Sequence, residues 1–139
     1  MNRRQVLGGI GFLAAATSTV EPGHSQTPAG GASKALLSSA SVCVSAGEAC
    51  LTHCLEMLAA GDKTMAACAK TARETMAVCG ALLSVAAQGA PSLSKLAAVA
   101  FDVCKRCEAE CLKHAQHSPC KDCAAACGAC AAECKKVAA

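Results

Sequence analysis

The chain has no tryptophan and no tyrosine, and its only phenylalanines are Phe12 and Phe101. An ordinary core of aromatic and large branched side chains is therefore excluded for the C-terminal half. Nucleic-acid binding loses its stacking platform for the same reason. A net charge of +3, with basic and acidic residues interspersed, supplies no phosphate-binding stripe either. Charged residues are only 17% of the chain, too few for a disordered polyelectrolyte. Strand-type alternation is almost missing. What is there is alanine, leucine and 13 cysteines in 139 residues, a length that suits one domain with or without a targeting segment. The core has to be made of Ala, Leu and sulfur.

Met1 to Val20 reads as a leader. Arg3 and Arg4 precede a mild apolar run ending near Ala16, too short for a permanent span, and Ala14-Ala15-Ala16 offers the small residues a signal peptidase accepts. Paired arginines before a weakly apolar, glycine-containing stretch resemble a twin-arginine signal, although Asn2 and Val6 depart from its usual residues. An ordinary secretory leader is the alternative. Thr17 to Ala32 lacks periodicity and reads as a linker. Residues 1–32 are thus expected to be signal peptide and linker, and 33–139 the folded domain. The mature protein is expected to be periplasmic, by the twin-arginine route, with no membrane span.

From Ser33 onward apolar residues recur at helical spacing. Helix one is expected over about 33–60, ended by Gly61. Asp62 caps helix two, which runs to about Ala87. Gln88-Gly89-Ala90-Pro91 breaks the chain, and Ser92 caps helix three, to about His117. Ser118 caps helix four, with Pro119 at its first position. Connections this short force neighbouring helices to run antiparallel. The expected fold is all-α, an up-down-up-down four-helix bundle with helices of roughly 30 to 40 Å.

Advancing each helix by about 100° per residue places the sulfurs. Cys43, Cys50 and Cys54 share one stripe of helix one; Cys68 and Cys79, three turns apart, share one stripe of helix two. Cys104, Cys107 and Cys111 do the same on helix three. Helix four carries Cys120, Cys123, Cys127, Cys130 and Cys134, a ladder confined to an arc of roughly 80°. Charged residues such as Glu48, Lys70, Arg73, Lys105 and Glu133 mostly fall on other faces, so all 13 thiols can line one interior. By depth, Cys43, Cys79, Cys104 and Cys134 are expected at one level, with leucines 36, 37, 82, 83, 93 and 96 plugging that end. Cys50, Cys107, Cys111, Cys127 and Cys130 are expected in a middle zone, and Cys54, Cys68, Cys120 and Cys123 toward the Gly61-Asp62 and Ser118-Pro119 corners.

Disulfides are the usual reading of a cysteine-dense exported chain. An odd number of cysteines, a continuous helical setting and i,i+3/i,i+4 spacing count against them here. Cysteine as a small buried hydrophobe accounts for two or three residues, but not for a five-rung ladder on one face. Tetrahedral Zn²⁺ in four-Cys sites would leave uncompensated charge in a dry core. Iron–sulfur clusters usually take their cysteines from loops. Cu(I) is soft, accepts two or three thiolates, and at about one ion per Cys cancels the thiolate charge. His53, Met57 and Met65 project toward the corner-bearing end and could form a loading port of weaker neutral ligands. Packing is the plainer role for Met57 and Met65, and solvent exposure for His53. His114 and His117 are expected at the edge or outside, and Met76 in packing.

These residues resemble the copper storage proteins, four-helix bundles whose Cys-lined cores fill with Cu(I). The resemblance covers nearly all of 33–139 and rests on the 13 inward cysteines, above all C-x2-C-x3-C at 104–111 and again at 120–127, extended through Cys130 and Cys134. It implies homotetramers, many Cu(I) ions per chain, and a reservoir serving copper-dependent enzymes such as those of methane oxidation. A copper chaperone or copper enzyme as recipient, and a Met/His-bearing mouth mapping onto His53, Met57 and Met65, follow from it too. An iron–sulfur electron-transfer subunit and a metallothionein-like Zn/Cd scavenger are the alternatives. An enzyme is not expected, since no acid/base pair converges with the thiols.

Overall fold

The computed structural model describes residues 34–138, so the leader and linker assigned to 1–32 lie outside the described residues. Helix α1 spans Lys34–Ala59, α2 Ala66–Ala87, α3 Leu93–Leu112 and α4 Ser118–Val137. A short 3-10 turn, Lys63–Met65, leads into α2. Helix α1 packs against α2 and α4, and α3 against α2 and α4, which is the up-down-up-down four-helix bundle expected from the short connections.

Two of the corners are built on glycine in the left-handed region. Gly61 has φ 96° and Gly89 φ 60°. After α1 the Asp62 N–H donates to the Met57 carbonyl at 2.9 Å and Gly61 to Leu58 at 3.0 Å. After α2 the Ala90 N–H donates to Val85 at 3.2 Å and Gly89 to Ala86 at 3.1 Å. Both pairs are the Schellman pattern, which satisfies the last carbonyls of a helix and turns the chain. Asp62 does cap, but it caps the 3-10 turn: its carboxylate accepts from the Thr64 N–H at 3.0 Å and the Thr64 hydroxyl at 2.6 Å. Ser92 occupies the N-cap of α3 without a side-chain hydrogen bond.

The third corner departs from expectation. Helix α3 ends at Leu112 and not near His117. Residues 113–117 turn tightly, with His114 N–H bonded to the Cys111 carbonyl at 3.0 Å and His117 N–H to the His114 carbonyl at 2.9 Å. Pro119 fixes the first turn of α4, and the reversal that brings α4 back antiparallel to α3 takes its connecting residues, 113–117, from the end of the expected helix three. His117, in an extended conformation, is therefore the N-cap of α4, and Ser118 is its first helical residue.

The core is what the composition demanded. All 13 cysteines are 0% exposed, with Leu36, Leu82 and Leu93 buried at one end and Met65 at the other. Ala40, Ala72, Ala97 and Ala100 fill the spaces between. By length and composition α1 could cross a membrane, but six of its residues, Leu36, Ala40, Cys43, Gly47, Cys50 and Cys54, are buried in the bundle. Gly47 has a packing reason that its sequence context hides: a Cβ there would sit 2.7 Å from Cγ of Met76, so α1 and α2 approach closely at that point. Across the outer surface, Arg106 on α3 pairs with Glu74 on α2 at 2.6 Å.

Candidate metal centre

All 13 thiols are free and converge on the bundle axis, as the stripes predicted. Their sulfurs form a single connected network. Cys50 is its hub at one end, 3.6 Å from Cys68, 3.8 Å from Cys111 and Cys120, and 4.0 Å from Cys54. Cys68 and Cys111 are 3.5 Å apart, and Cys111 leads to Cys107 at 3.8 Å. Cys107 continues to Cys123 and Cys123 to Cys127, each at 4.0 Å. Cys127 meets Cys43 at 3.6 Å. Cys79 is the hub beyond, 3.6 Å from Cys104, 3.9 Å from Cys130 and 4.0 Å from Cys43, and Cys134 closes the chain 4.0 Å from Cys130.

Four sets of sulfurs lie within 4.8 Å of one another: Cys43/Cys79/Cys104/Cys130, Cys50/Cys54/Cys68/Cys120, Cys50/Cys111/Cys123 and Cys107/Cys123/Cys127. The first quartet takes one thiol from each helix and corrects the expected depths: Cys130, expected in the middle zone, and not Cys134 stands level with Cys43, Cys79 and Cys104, while Cys50 joins the corner quartet and Cys123 lies with Cys107, Cys111 and Cys127. Cys134 belongs one helical turn further along α4. Helices that cross at an angle shift relative depth by several Å, so counting along parallel rods does not resolve a single turn.

The electrostatics suit a cargo of cations. Among the described residues no Lys, Arg, Asp or Glu side chain is buried, and the buried polar residues are Thr75 and His114. Burial, followed by repulsion from Cys50, pushes the Cys54 thiol well above the ordinary range, and burial does the same to Cys120. Hydrogen bonding to Cys104 and then Cys127 draws Cys43 down to about 5. A dry thiol cluster therefore concentrates ionisation on a few sulfurs and withholds it from their neighbours, until a cation arrives to replace the protons. Soft sulfur in groups of three and four, without hard oxygen donors, selects soft or borderline metals.

The expected port residues do gather at the corner-bearing end. Met65 is fully buried on the 3-10 turn, and Met57 is half-buried against the core. The Nε2 of half-buried His53 is enclosed without a hydrogen-bond partner. Two residues expected at the edge are closer in: His114 is 8% exposed with Nε2 3.9 Å from Glu110, and the half-buried His117 ring lies 4.7 Å from that of His53. The early end of α3 is the reason, since the turn through 113–117 folds both imidazoles over the bundle end. Thr75 was not singled out by the sequence; its buried hydroxyl donates to the Val103 carbonyl at 3.3 Å.

Comparison with known proteins points the same way. The cysteine-rich protein YhjQ of Bacillus subtilis, described as uncharacterized, is 31% identical over 97 residues, 70% of this chain and 87% of that one. Apo copper storage protein 3 of Bacillus subtilis matches with a TM-score of 0.67 and 31% identity, covering 76% of this chain and 97% of that one. A Cu(I)-bound copper storage protein, BsCsp3, matches at 0.68 and 30%, covering 76% and 96%. The sequence profile described as copper storage protein matches residues 31–139. That match leaves no part of the thiol core outside it, and the chain belongs to the copper storage protein family.

Proposed function

We propose that this protein stores many Cu(I) ions, about one per cysteine, on thiolates inside the bundle, and serves as a reservoir for copper-dependent enzymes. The observation that carries this reading is the single unbroken network of 13 buried sulfurs, with no Lys or Arg side chain buried among the described residues. If each thiolate bridges two ions and each ion takes two thiolates, positive and negative charges cancel, and a dry core tolerates the load. Divalent ions in four-sulfur sites would leave each site at a net −2 in the same surroundings. The Cu(I)-bound relative supports the choice of ion. Binding and release, with no chemical turnover, is the activity.

The loading port in this reading is His53, Met57 and Met65. Imidazole and thioether are neutral ligands that hold Cu(I) less tightly than thiolate, and the enclosed, unpartnered Nε2 of His53 supports the assignment. We further propose that residues 1–32 are a twin-arginine signal and linker delivering the bundle to the periplasm already folded, and that it assembles there as a homotetramer. A copper chaperone or copper enzyme is the recipient class. The test is an anaerobic Cu(I) titration of reduced protein against a chromophoric chelator. Ten to fifteen ions withheld per chain, about one per thiol, are expected. A plateau at about three or four, the capacity of separate four-sulfur sites, would overturn the reading.

A further inference from the structure

The network has two halves and one link. On the corner side lie the quartet around Cys50 and, beyond it, Cys107, Cys111 and Cys123. On the leucine side lie Cys43, Cys79, Cys104 and Cys130, with Cys134 behind. The Cys127 sulfur stands between them, 3.6 Å from Cys43 and 4.0 Å from Cys123, and within 4.8 Å of Cys107. Its thiol neighbours are Cys104 and Cys43 on one side and Cys107 and Cys123 on the other. Among the described residues no other thiol–thiol hydrogen bond joins the two halves. Redundancy is present on each side of Cys127 and absent at it.

The ends of the tube are unequal. The leucine end is closed by Leu36 and Leu82 at 0% exposure and Leu93 at 4%, side chains that offer a cation no ligand. At the other end Met57, Met65 and His53 stand against the core as thioether and imidazole donors. All the sulfurs are fully buried, so an ion in the core cannot travel as a hydrated species. It can move only by exchanging one thiolate for the next.

Resting on the Cu(I)-storage reading, we propose that Cys127 is the relay thiol through which Cu(I) passes from the corner half of the core to the leucine half. In one step the Cu–Sγ bond to Cys127 forms as the bond to Cys123 breaks, and the proton displaced from Cys127 is taken by the Cys123 sulfur. Copper stays Cu(I) throughout, and charge moves as one cation forward and one proton back. The same exchange with Cys43 then delivers the ion to the Cys79 hub. Separations of at most 4.0 Å let one ion touch both sulfurs during each exchange.

The experiment compares wild type, Cys127→Ser and Cys134→Ser, each fully reduced, in transfer of Cu(I) from a chromophoric chelate, followed in time. Cys134→Ser removes a storage thiol at the end of the network, so it is expected to hold about one ion fewer and sets the rate that loss of any single ligand produces. Cys127→Ser should fill its corner half at the wild-type rate. Its share on Cys43, Cys79, Cys104, Cys130 and Cys134 should arrive at least about tenfold more slowly. Copper-edge anomalous maps of briefly loaded Cys127→Ser crystals should show metal around Cys50 and none around Cys79. Circular dichroism checks the fold, and Cys127→Ala, suited to an alanine-rich helix, replaces the serine variant if that one unfolds. A Cys127 variant that fills to one ion below wild type with a single wild-type rate overturns the relay. Wild type stopping near three or four ions overturns the storage reading instead.

Discussion

The rings of His53 and His117 lie 4.7 Å apart at an interplanar angle of 46°, and the Nε2 of His53 is buried with no hydrogen-bond partner. A polar atom left in this way costs a fold about 1–3 kcal/mol, which stability alone does not justify. Replacing His53 with Leu should therefore change apo stability by less than about 1 kcal/mol, or raise it, in a denaturant melt. The total Cu(I) count should stay the same while loading slows, as read by stopped-flow transfer from a chelate. Loss of several bound ions would make His53 part of the store and not of the port.

Gly47 and Gly80 are both interior to helices, yet only one is free to change. A Cβ at Gly47 would lie 2.7 Å from Met76 Cγ, whereas one at Gly80 would meet nothing within 4 Å. Gly80→Ala should stabilise the apo bundle by about 0.5–1 kcal/mol through helix propensity. Gly47→Ala should destabilise it by about 1–3 kcal/mol, because Met76 must leave its place between α1 and α2. Thermal melts of the two variants check the opposite signs.

Above the ordinary thiol range, stability of the apo protein should fall with rising pH. Burial holds the Cys54 and Cys120 thiols above the ordinary range, so they stay protonated in the folded state after the unfolded chain has begun to ionise. Their folded pKa values are raised, and the native state then binds more protons than the unfolded state. The stability slope is therefore negative above about pH 8.5, at roughly 1.4 kcal/mol per pH unit for each withheld ionisation. Denaturant melts upward from about pH 8.5 should show the decline in apo protein and not in copper-loaded protein, whose thiolates are already deprotonated. Cu(I) uptake should in turn release protons, measurable with a pH indicator in weak buffer.

Capacity and stability should separate at the leucine end. Leu82→Ala removes a fully buried side chain and should cost about 2–5 kcal/mol, with no change in the number of Cu(I) ions bound. Far-UV circular dichroism of wild type stripped of metal should remain mostly helical, because alanine favours helix and protonated thiols pack as small apolar groups. A coil spectrum would mean that copper folds the bundle instead of filling it.

Much of this was legible in the chain. Spacings of three, four, seven and eleven residues fix the stripe on which each cysteine falls, and they placed all 13 inside without any knowledge of packing. Gly61 and the Gly89–Pro91 break marked two corners correctly, since positive φ is a local requirement. The third corner was misplaced because Ser118-Pro119 marks where α4 starts but not how many residues the reversal before it needs; the turn takes 113–117 and carries His114 and His117 inward. Which sulfurs meet was less legible. Stripe and depth bring Cys79 near Cys104, but the choice of Cys130 over Cys134 depends on helix crossing. Gly47 is a close contact in the fold because Met76 arrives from another helix, a meeting that spacing along one helix does not reveal.

The central claim is that copper fills this tube of sulfur as thiolate-bound Cu(I). A crystal of the anaerobically loaded protein, with anomalous maps on either side of the copper edge, tests it most directly. The account predicts about ten or more copper peaks inside the bundle, each bonded to two or three of the cysteine sulfurs and distributed from Cys54 to Cys134. Three or four peaks, each held tetrahedrally by four cysteines, or copper confined to the histidines at the corner end, would contradict it.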